Sequence, residues 1–368
     1  MAPYRIDQFN SLNEIFDLKV IFIFDNVWNH KFDQSKLLAQ VKFNYSFLLT
    51  GPRYKGRVFR FGMLRSIREF NPDIILGYEF SFTTLYLILL KKAGIIHQQL
   101  GSTIDDSIEI CNNVQSSVRK WSRKISIENL DYLIVLSREV ADFYSNVLGF
   151  TQNKIIVSPI LQNENRLRKD PEQLIEIAER YFQQNNLKGK RVLLFVGRFI
   201  SEKGLVGMLE IIAPVLKDNP DLVFLLVGDG IERDQINAAA TAHGIEKSIL
   251  MPGRFEGPEL LAWYFCASGF ILPSVFEPFG AVVNEALIFG LPVLCSKFVG
   301  SKFLLDNPDA DLIFDPLDAN ESVVKVKRFI SVLQKKITIE KTLPDSKMRI
   351  NYKNLFHDWK TKMYDQSI

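Results

Sequence analysis

Cysteine and histidine are scarce in this sequence, with three and four copies among 368 residues. The cysteines (Cys111, Cys266 and Cys295) form no Cys-x-x-Cys pair, and the last two lie in apolar runs. We interpret Cys266 and Cys295 as reduced core residues, which suits a cytoplasmic protein. The histidines lack the spacing of metal ligands, which argues against a structural zinc site.

The net charge is also small, and the apolar runs of the first half are short. The formal net charge is +3, which gives no overall nucleic-acid-binding signature. The first seven residues are polar, so we expect no signal peptide. The longest apolar run of the first half, Phe82 to Leu90, is too short to span a bilayer and predicts a buried helix. The length and the 47% hydrophobic content indicate a globular protein of two domains.

Predicted strands and helices alternate along the first half, which favours a parallel α/β sheet. Strands are expected at 19–24, 42–49, 74–77, 95–100 and 130–136, and a helix at 81–92. A doubly wound domain should open with a strand, a glycine-containing loop and a helix. This sequence opens on Ala2-Pro3-Tyr4-Arg5 and a helical pattern over 4–18, so the expected first strand is missing.

The second half contains three strand–loop–helix patterns after a polar segment, 162–170, that we interpret as a linker. The strand at 191–196 runs into Gly197-Arg198 and then Ser201-Glu202-Lys203-Gly204, before a helix at 205–216. The strand at 222–227 runs into Gly228-Asp229-Gly230. Basic residues on a glycine loop between a strand and a helix are typical of phosphate binding.

The third pattern, PSVFEPFGAVVNEALIFGLP at 273–292, carries the most specific signal. It follows an apolar strand at 269–272, and Gly280 precedes an apolar helical pattern. The free N–H groups of the first helical turn form a site for anions and hydroxyls. Glu277 and Glu285 flank this turn and could hold two parts of one polar ligand. Alternatively, they are a helix-start acid and a solvated helix residue.

This stretch resembles the E-x7-E signature of retaining glycosyltransferases of family four, which have the GT-B fold. The resemblance implies that Glu277 contacts the donor sugar and Glu285 the ribose of the nucleotide. The loop from Gly197 to Gly204 resembles the family's G-R-x-x-x-x-K-G loop, so Arg198 and Lys203 would hold the donor diphosphate. The implied catalytic residues are Glu277, Arg198 and Lys203. The other implied donor-binding residues are Gly197, Gly228, Arg254, Phe255, Phe279, Gly280, Ala281, Val282 and Glu285.

The fold that the resemblance implies is α/β, with two doubly wound Rossmann-like domains facing each other across a cleft. An acceptor-side domain would comprise 1–163 and a C-terminal helix at 349–368, and a nucleotide-sugar-binding domain 164–348. The implied enzyme is a retaining hexosyltransferase-type glycosyltransferase without a metal or other cofactor. It would move a sugar from a UDP- or GDP-sugar to a glycan or a polyprenyl-diphosphate-linked acceptor in surface polysaccharide biosynthesis.

Two segments of the first half are candidates for acceptor or membrane contacts. Gly101, Ser102 and Asp105 are expected at the carboxyl end of a strand, where ligands of open α/β sheets bind. His97 is expected inside that strand. The segment 53–68 has six basic residues, no acidic one and interleaved aromatics. It predicts either a solvated face or a dock for an anionic membrane, which would place the protein at the inner face of the cell membrane.

Two other functions remain open at this point. One is a GT-B nucleotide-sugar epimerase or hydrolase, which would consume the donor without any acceptor. The other is a catalytically impaired nucleotide-sugar-binding protein, which the missing first strand favours. Such a protein would bind the donor without turnover.

Overall fold

The computed structural model describes residues 2–26, 32–54, 57–305 and 312–363, which form two compact units. The first unit comprises Met1–Gln162 and Tyr352–Ile368, and the second Asn163–Asn351. The sequence analysis drew these divisions between 163 and 164 and between 348 and 349. Within the described residues, no helix is long and apolar enough to cross a membrane.

The first unit alternates short strands with helices. Its strands are β1 (Lys19–Phe22), β2 (Asn44–Phe47), β3 (Arg53–Tyr54), β4 (Arg57–Val58), β5 (Ile74–Tyr78), β6 (Gln99–Ile104), β7 (Tyr132–Val135) and β8 (Ile155–Val157). Its helices are α1 (Ile6–Asn13), α2 (Gln34–Leu38), α3 (Met63–Phe70), α4 (Phe82–Lys92), α5 (Ile108–Asn112), α6 (Ser117–Asn129), α7 (Arg138–Asp142) and, near the end of the chain, α15 (His357–Met363).

The strands of this unit form two parallel sheets and one small hairpin. The larger sheet has the order β5-β6-β7-β8, the smaller pairs β1 with β2, and β3 pairs with β4 in antiparallel fashion. The main core lies between α3, α4, α7 and the larger sheet, and β7 is buried along its whole length. The expectation of a parallel α/β fold is confirmed in this unit.

One predicted strand is misplaced. Residues 95–100 were expected to form a strand, but the strand is Gln99–Ile104. The apolar pair Ile95-Ile96 follows the helix end instead, because Gly94 has a φ of +67° and the Ile95 N–H bonds to the Leu90 carbonyl at 2.9 Å. His97 therefore lies before the strand and is exposed, contrary to the expectation that it is inside the strand.

The second unit is a doubly wound domain around one six-stranded parallel sheet. Its strands are β9 (Arg191–Val196), β10 (Leu222–Val227), β11 (Ile249–Gly253), β12 (Gly269–Leu272), β13 (Val293–Ser296) and β14 (Ile313–Phe314). Its helices are α8 (Glu164–Leu167), α9 (Pro171–Gln184), α10 (Leu205–Asp218), α11 (Arg233–Ala242), α12 (Pro258–Cys266), α13 (Ala281–Ile288) and α14 (Ala319–Ser331). The strand order is β11-β10-β9-β12-β13-β14. Helices on both faces bury the strands, as parallel sheets require.

The segment interpreted as a linker has structure of its own. Residues 164–167 form α8, and Leu167 is buried. Arg168 donates hydrogen bonds to the carbonyls of Ile288 at 3.0 Å and Pro344 at 2.7 Å. The boundary between the two units, after Gln162, lies inside this segment, and these contacts attach most of it to the second unit.

Candidate functional site

The best candidate site lies where the strand order of the second unit reverses. From β9 the chain proceeds outward through β10 to β11, and it then returns to the other side of β9 with β12. In open α/β sheets, ligands bind beyond the carboxyl ends of the two strands at such a reversal. The loops that follow β9 and β12 contain the basic pair and the first glutamate of the sequence analysis.

The loop after β9 is shaped by a close approach to the loop after β12. Gly204 has a φ of +65°, and a Cβ there would lie 2.6 Å from the carbonyl oxygen of Pro273. Only glycine fits both the left-handed backbone and this contact. Gly204 is also the N-cap of α10 and provides no side chain to cap it. Lys203 is thereby placed at the positive end of a fourteen-residue helix.

The loop after β12 is held by backbone hydrogen bonds on both sides. The N–H groups of Val275 and Phe276 donate to the carbonyl of Glu202 at 2.9 and 3.2 Å. On the other side, the Gly300 N–H donates to the carbonyl of Glu277 at 3.0 Å. Gly280, with a φ of +89°, is the N-cap of α13 and again provides no capping side chain. Two helix N-termini thus lack side-chain caps in these adjoining loops.

Lys203 and Glu277 meet as an ion pair between these two loops. The pair joins Lys203 Nζ to Glu277 Oε2, and only 15% and 12% of the two side chains are exposed. Glu277 lies three residues before the N-cap of α13, and Lys203 directly before that of α10. A sheltered ammonium group beside two helix N-termini is a strong arrangement for binding an anion.

Glu285 is oriented by a residue that the sequence analysis did not identify. Tyr264, on α12, is fully buried and donates its hydroxyl proton to Glu285 Oε2 at 2.6 Å. Burial and the neighbouring carboxylate raise the pKa of Tyr264 well above its usual value, so the phenol remains a proton donor. Glu285 is half-buried in the second turn of α13. No local sequence pattern indicates this pairing, since the partners are on different helices.

The other predicted diphosphate residues line the same edge of the sheet. Gly197 directly follows β9, and the exposed Arg198 comes next. A Cβ on Gly228 would lie 1.8 Å from the carbonyl oxygen of Gly197, so this glycine permits the loops after β9 and β10 to touch. Gly228 also donates its N–H to the carbonyl of Gly253 at 2.8 Å. Glycines therefore link three neighbouring strand ends.

The residues predicted to contact the base and the sugar have mixed environments. Arg254 is exposed and paired with Glu256. The ring of Phe255 packs against Tyr181 and Trp263, with centroids 5.5 and 5.7 Å away.

The three other predicted residues surround the start of α13. Phe279 is 4% exposed, so it can offer a ligand its backbone but not its ring. Ala281 and Val282 begin α13 and are half-buried, which leaves their backbone as the part available for hydrogen bonding.

Two predicted acceptor-side residues do not lie at a strand end. Gly101 and Ser102 are in the middle of β6 and are buried. A Cβ on Gly101 would lie 2.7 Å from a Leu76 methyl carbon, and the Ser102 hydroxyl donates to the carbonyl of Glu79 at 2.7 Å. The expectation was wrong because β6 starts and ends four residues later than predicted. These two residues therefore contribute to packing between β5 and β6.

Asp105 does lie at the end of β6, in a cluster of charges. It accepts a hydrogen bond from Arg5 at 2.6 Å and one from the hydroxyl of Tyr78 at 3.1 Å. Beside it, Arg119 Nη2 contacts Glu79 at 2.9 Å and Asp106 at 2.6 Å. Glu79 was missed by the sequence analysis, although its place directly after the apolar strand β5 was a usable signal.

Glu79 has a positive φ angle and a raised pKa. Its φ is +53°, in the region that favours glycine, and its carbonyl accepts hydrogen bonds from Ser102 and Thr84. Burial and the neighbouring Asp106 raise the pKa of Glu79 to about 7, against which Arg119 acts. The Arg119 guanidinium pairs with both Glu79 and Asp106. Because one positive charge faces two carboxylates, ionisation of either carboxylate makes ionisation of the other less favourable.

The basic segment 53–68 is less uniformly exposed than predicted. Arg60 donates to the carbonyls of Ile23 at 2.9 Å and Leu49 at 2.6 Å, and Arg65 pairs with Glu69 on α3. Residues 55 and 56 lie outside the described part of the chain. Phe59 and Phe61 are 39% and 57% exposed.

The composition argued against a structural zinc site and favoured reduced cysteines. Over residues 2–26, 32–54, 57–305 and 312–363, no group of three histidine, cysteine or carboxylate side chains is placed to hold a metal ion. All three cysteines are free and buried. Burial raises the pKa of Cys266 and Cys295 to about 12, which fits the interpretation that they are core residues.

Comparison with known families gives this geometry a context. Residues 177–337 match the family model of glycosyl transferases group 1, and they include both loops and α13. The chain is 25% identical over 245 residues to 2-deoxystreptamine glucosyltransferase of Streptomyces kanamyceticus. That alignment covers 67% of this chain but only 61% of the relative, so the chain spans about three fifths of its length.

Solved structures are similar to the chain as a whole. The Anabaena protein HepE in complex with UDP matches with a TM-score of 0.67 at 18% identity, covering 92% of this chain and 89% of HepE. A glycosyltransferase from Rickettsia africae matches with a TM-score of 0.71 at 16% identity, covering 99% and 94%. These likenesses establish the GT-B fold, with two Rossmann-like domains, and confirm the fold class inferred from the sequence. The match to the group 1 family model lies wholly within the second unit.

Proposed function

We propose that this protein is a retaining glycosyltransferase of family four that transfers a hexose from a nucleotide-sugar to a glycan or lipid-linked acceptor. One observation carries the proposal. Lys203 and Glu277 pair at the strand-order reversal, beside two helix N-termini without side-chain caps. Such a site suits a ligand that carries both a diphosphate and a sugar.

In the proposed mechanism, the protein stabilises the departing nucleoside diphosphate. Lys203, Arg198 and the first amides of α13 neutralise the charge that develops on the diphosphate as the bond to the sugar breaks. Because these cations and dipoles supply the positive charge, the proposed reaction needs no metal ion. The acceptor hydroxyl attacks from the side of the leaving group and gives its proton to the departing diphosphate oxygen, so the configuration of the anomeric carbon is retained.

The two glutamates have separate roles in this proposal. Glu285, held in place by Tyr264, accepts hydrogen bonds from the ribose hydroxyls. Glu277 orients the donor sugar and must release or share Lys203 when the diphosphate binds. Glu277 thus neutralises the ammonium group before the diphosphate does, and it has its own task in the complex.

The donor is proposed to be a UDP-sugar or a GDP-sugar. HepE was solved with UDP and also with UDP and glucose, and the Streptomyces relative is a glucosyltransferase. These likenesses support a UDP-hexose as the first donor to test. A role in surface polysaccharide biosynthesis is part of the same proposal.

Calorimetry on the diphosphate contact tests the proposal. Arg198→Ala should weaken binding of UDP or GDP about tenfold or more, because a hydrogen bond to a charged group contributes about 1.5–3 kcal/mol. Lys247→Ala is the matched control, since Lys247 is exposed beside the amino end of β11, away from the loops. Unchanged affinity in Arg198→Ala, or an equal loss in both variants, would contradict the site.

Turnover assays separate this function from its two alternatives. A transferase consumes an α-linked donor only with an acceptor and gives an α-linked product by NMR. Donor consumption in buffer alone would instead identify an epimerase or hydrolase. Donor binding without turnover over a broad acceptor panel would identify a binding protein.

We also propose that the first unit docks on the anionic inner face of the cell membrane. On α6, Trp121 and Val118 are 56% and 49% exposed, and the neighbouring Lys120 and Lys124 are exposed too. An apolar and basic helix surface of this kind suits a lipid headgroup region.

Liposome co-sedimentation tests the docking. Binding to acidic liposomes should fall steeply between low and high salt, since charges are screened within about 10 Å at 0.1 M. Trp121→Ala should weaken it. Equal binding to neutral and acidic liposomes would refute the proposal.

A further inference from the structure

The carboxyl end of α13 is fixed by contacts from distant parts of the second unit. α13 has only eight residues, yet it provides Glu285 and its first backbone amides to the candidate site. A helix of this length spans about 12 Å, so it moves as one piece. Contacts that fix its carboxyl end therefore also set the position of the groups that the candidate site uses.

The last four carbonyl groups of α13 all accept hydrogen bonds. Carbonyls at this end of a helix need donors from beyond the helix. The backbone N–H groups of residues 289–291 donate at 3.0–3.1 Å to three of them, those of Glu285, Ala286 and Leu287. The Ile288 carbonyl accepts instead from a side chain, Arg168 Nη1, at 3.0 Å. The end of α13 is thus completed by a residue 120 positions away.

Arg168 connects the end of α13 to two other segments of the second unit. Its Nη1 also contacts Glu164 Oε1 of α8 at 3.3 Å, and its Nη2 donates to the Pro344 carbonyl at 2.7 Å. Only 19% of the Arg168 side chain is exposed. A guanidinium holds several N–H donors in a fixed fork, and charged donors form stronger hydrogen bonds than neutral ones. A positive charge at the carboxyl end of a helix also stabilises the helix.

The segment 344–348, which we call the strap, packs closely on α13. Gly290, just after the helix, has a φ of +71°, and a Cβ there would lie 2.6 Å from a carbonyl oxygen of the strap. Asn284 of α13 is fully buried and donates its side-chain N–H to Met348 Sδ at 3.3 Å. Asn284 directly precedes Glu285. Arg168 therefore secures two structures at once, the end of α13 and the strap that packs beside Glu285.

We propose that Arg168 is a positioning residue of the donor site. It fixes the carboxyl end of α13 and the strap, and through this helix it sets the position of Glu285 and of the first amides. Glu285 precedes Ile288, whose carbonyl Arg168 binds, by less than one helical turn. Arg168 acts through the helix, since its partners are α8, the helix end and the strap. The inference rests on the proposed function, which makes α13 part of the donor site.

The second unit contains a matched arginine that secures a different helix. Arg191 begins β9, and 14% of its side chain is exposed. It pairs with Asp221 at 2.9 Å and donates to the carbonyl of Ile330, in the last turn of α14, at 3.2 Å. None of the predicted donor-binding residues belongs to α14. Arg191→Met therefore removes contacts of the same kind as Arg168→Met, but it does not act on α13.

Hydrogen exchange of the full chain without ligand tests whether Arg168 fixes α13. Arg168→Met should speed amide exchange in α13 roughly tenfold or more, because a hydrogen bond to a charged group is lost. Arg191→Met should speed exchange in α14 and leave α13 unchanged. Arg168→Lys keeps the charge but not the fork, so it should show a smaller increase in α13 and serves if Arg168→Met does not fold. Wild-type exchange in α13 of the Arg168 variants would overturn the inference, whatever the function.

UDP calorimetry tests whether this effect reaches the donor site. Arg168→Met should weaken UDP binding about threefold or more, since residues of one network couple by a factor of about two to one hundred. Arg191→Met should bind UDP as the wild type does. Because Arg168 acts through α13, the loss in the double variant with Glu285→Ala should be smaller than the product of the two single losses.

The outcomes separate this inference from the proposed function. An equal loss of UDP affinity in Arg168→Met and Arg191→Met, or a double-variant loss equal to the product, would overturn the positioning role. Wild-type affinity in Arg168→Met beside a loss in Arg198→Ala would overturn it too, while the proposed function stands. Wild-type affinity in both Arg198→Ala and Glu285→Ala would overturn the proposed function and the inference with it.

Discussion

At the scale of single residues, the ion pair between Lys203 and Glu277 is the most informative contact. Only 15% of the Lys203 side chain and 12% of the Glu277 side chain are exposed, so both charges are poorly hydrated. Taking two such charges out of water is costly, and their attraction does not always repay the cost. A ligand that brings a diphosphate for Lys203 and hydroxyls for Glu277 would satisfy both groups, which explains why a pair of this kind belongs in a binding site.

The separate roles of the two glutamates predict different kinetic effects. Glu285→Ala removes a contact with the nucleotide that is present in both ground and transition states, so it should mainly raise the donor KM. Glu277→Ala disturbs the orientation of the reacting sugar, so it should mainly lower kcat. Steady-state kinetics on both variants, beside UDP and GDP titrations, measure the difference.

Tyr264→Phe is the matched control for Glu285. It keeps the ring, which stacks on Phe289, but removes the hydrogen bond to Glu285. It should shift KM in the same direction by a smaller factor, about two to tenfold. Wild-type turnover in Glu277→Ala, or loss of nucleotide binding there but not in Glu285→Ala, would contradict the assignment.

Glu79 predicts a pH dependence of stability. Because its folded pKa is raised from 4.5 to about 7, the folded state keeps a proton that the unfolded state has released across this window. The free energy of unfolding should therefore fall as the pH rises from about 4.5 to 7, by at most about 3 kcal/mol. Glu79→Gln cannot ionise, so the difference in melting temperature between about pH 5 and about pH 7.5 should shrink.

The control for this experiment is Glu128→Gln, on the exposed side of α6. It should keep the wild-type difference between the two pH values. If Glu79→Gln also kept it, the raised pKa of Glu79 would be wrong.

At the scale of elements, two glycines of the α10 region make a matched pair. Gly204 has a φ of +65° and no room for a Cβ, whereas Gly207 lies inside α10 with nothing within 4 Å of an added Cβ. Gly207→Ala should raise the free energy of unfolding by about 0.5–1 kcal/mol, since alanine favours helices. Gly204→Ala should lower it by roughly 1 kcal/mol or more and weaken UDP binding.

Urea unfolding and UDP calorimetry measure this pair of variants. The contrast separates strain in the loop from the general cost of glycine in a helix. If Gly204→Ala were as stable as wild type and bound UDP equally well, the tight contact with Pro273 would not be what shapes the site.

Elements with strong local signals were predictable from sequence. β9, β10 and β12 have the predicted bounds, because each is an apolar run that ends at glycine or proline. α9 carries an equally strong local signal, since Asp170 caps it and Pro171 begins it. β6 was misplaced because Ile95 and Ile96 resemble a strand but complete the end of α4. Local composition cannot distinguish these two uses of an apolar pair.

The loops that form the candidate site were predictable from the sequence, but the contacts between their side chains were not. Glycine, basic residues and glutamates marked the loops after β9 and β12 in the sequence. The pairing of Lys203 with Glu277, and of Tyr264 with Glu285, joins residues 74 and 21 positions apart. Such pairs depend on strand order, which a single sequence does not specify.

At the scale of the whole molecule, the chain returns to the first unit at its C-terminal end. Residues 352–356 form a 3₁₀ turn that leads into α15. Trp359 is 3% exposed and packs in a cluster with Ile134 and Ile156 of the larger sheet. Its indole N–H donates to the hydroxyl of Ser158 at 3.0 Å. The first unit is therefore completed by residues that follow the whole of the second.

This arrangement predicts that Trp359→Ala destabilises the first unit and leaves the second intact. Removing a buried tryptophan costs about 3–5 kcal/mol, whereas Lys360→Ala, exposed on the same helix, should cost little. Hydrogen exchange resolves the two units within one chain, since amides of β7 should lose protection while those of β9 keep it. UDP affinity should persist, because every proposed nucleotide contact belongs to the second unit. Equal loss of protection in β7 and β9 would mean that the two units unfold together, which would contradict this prediction.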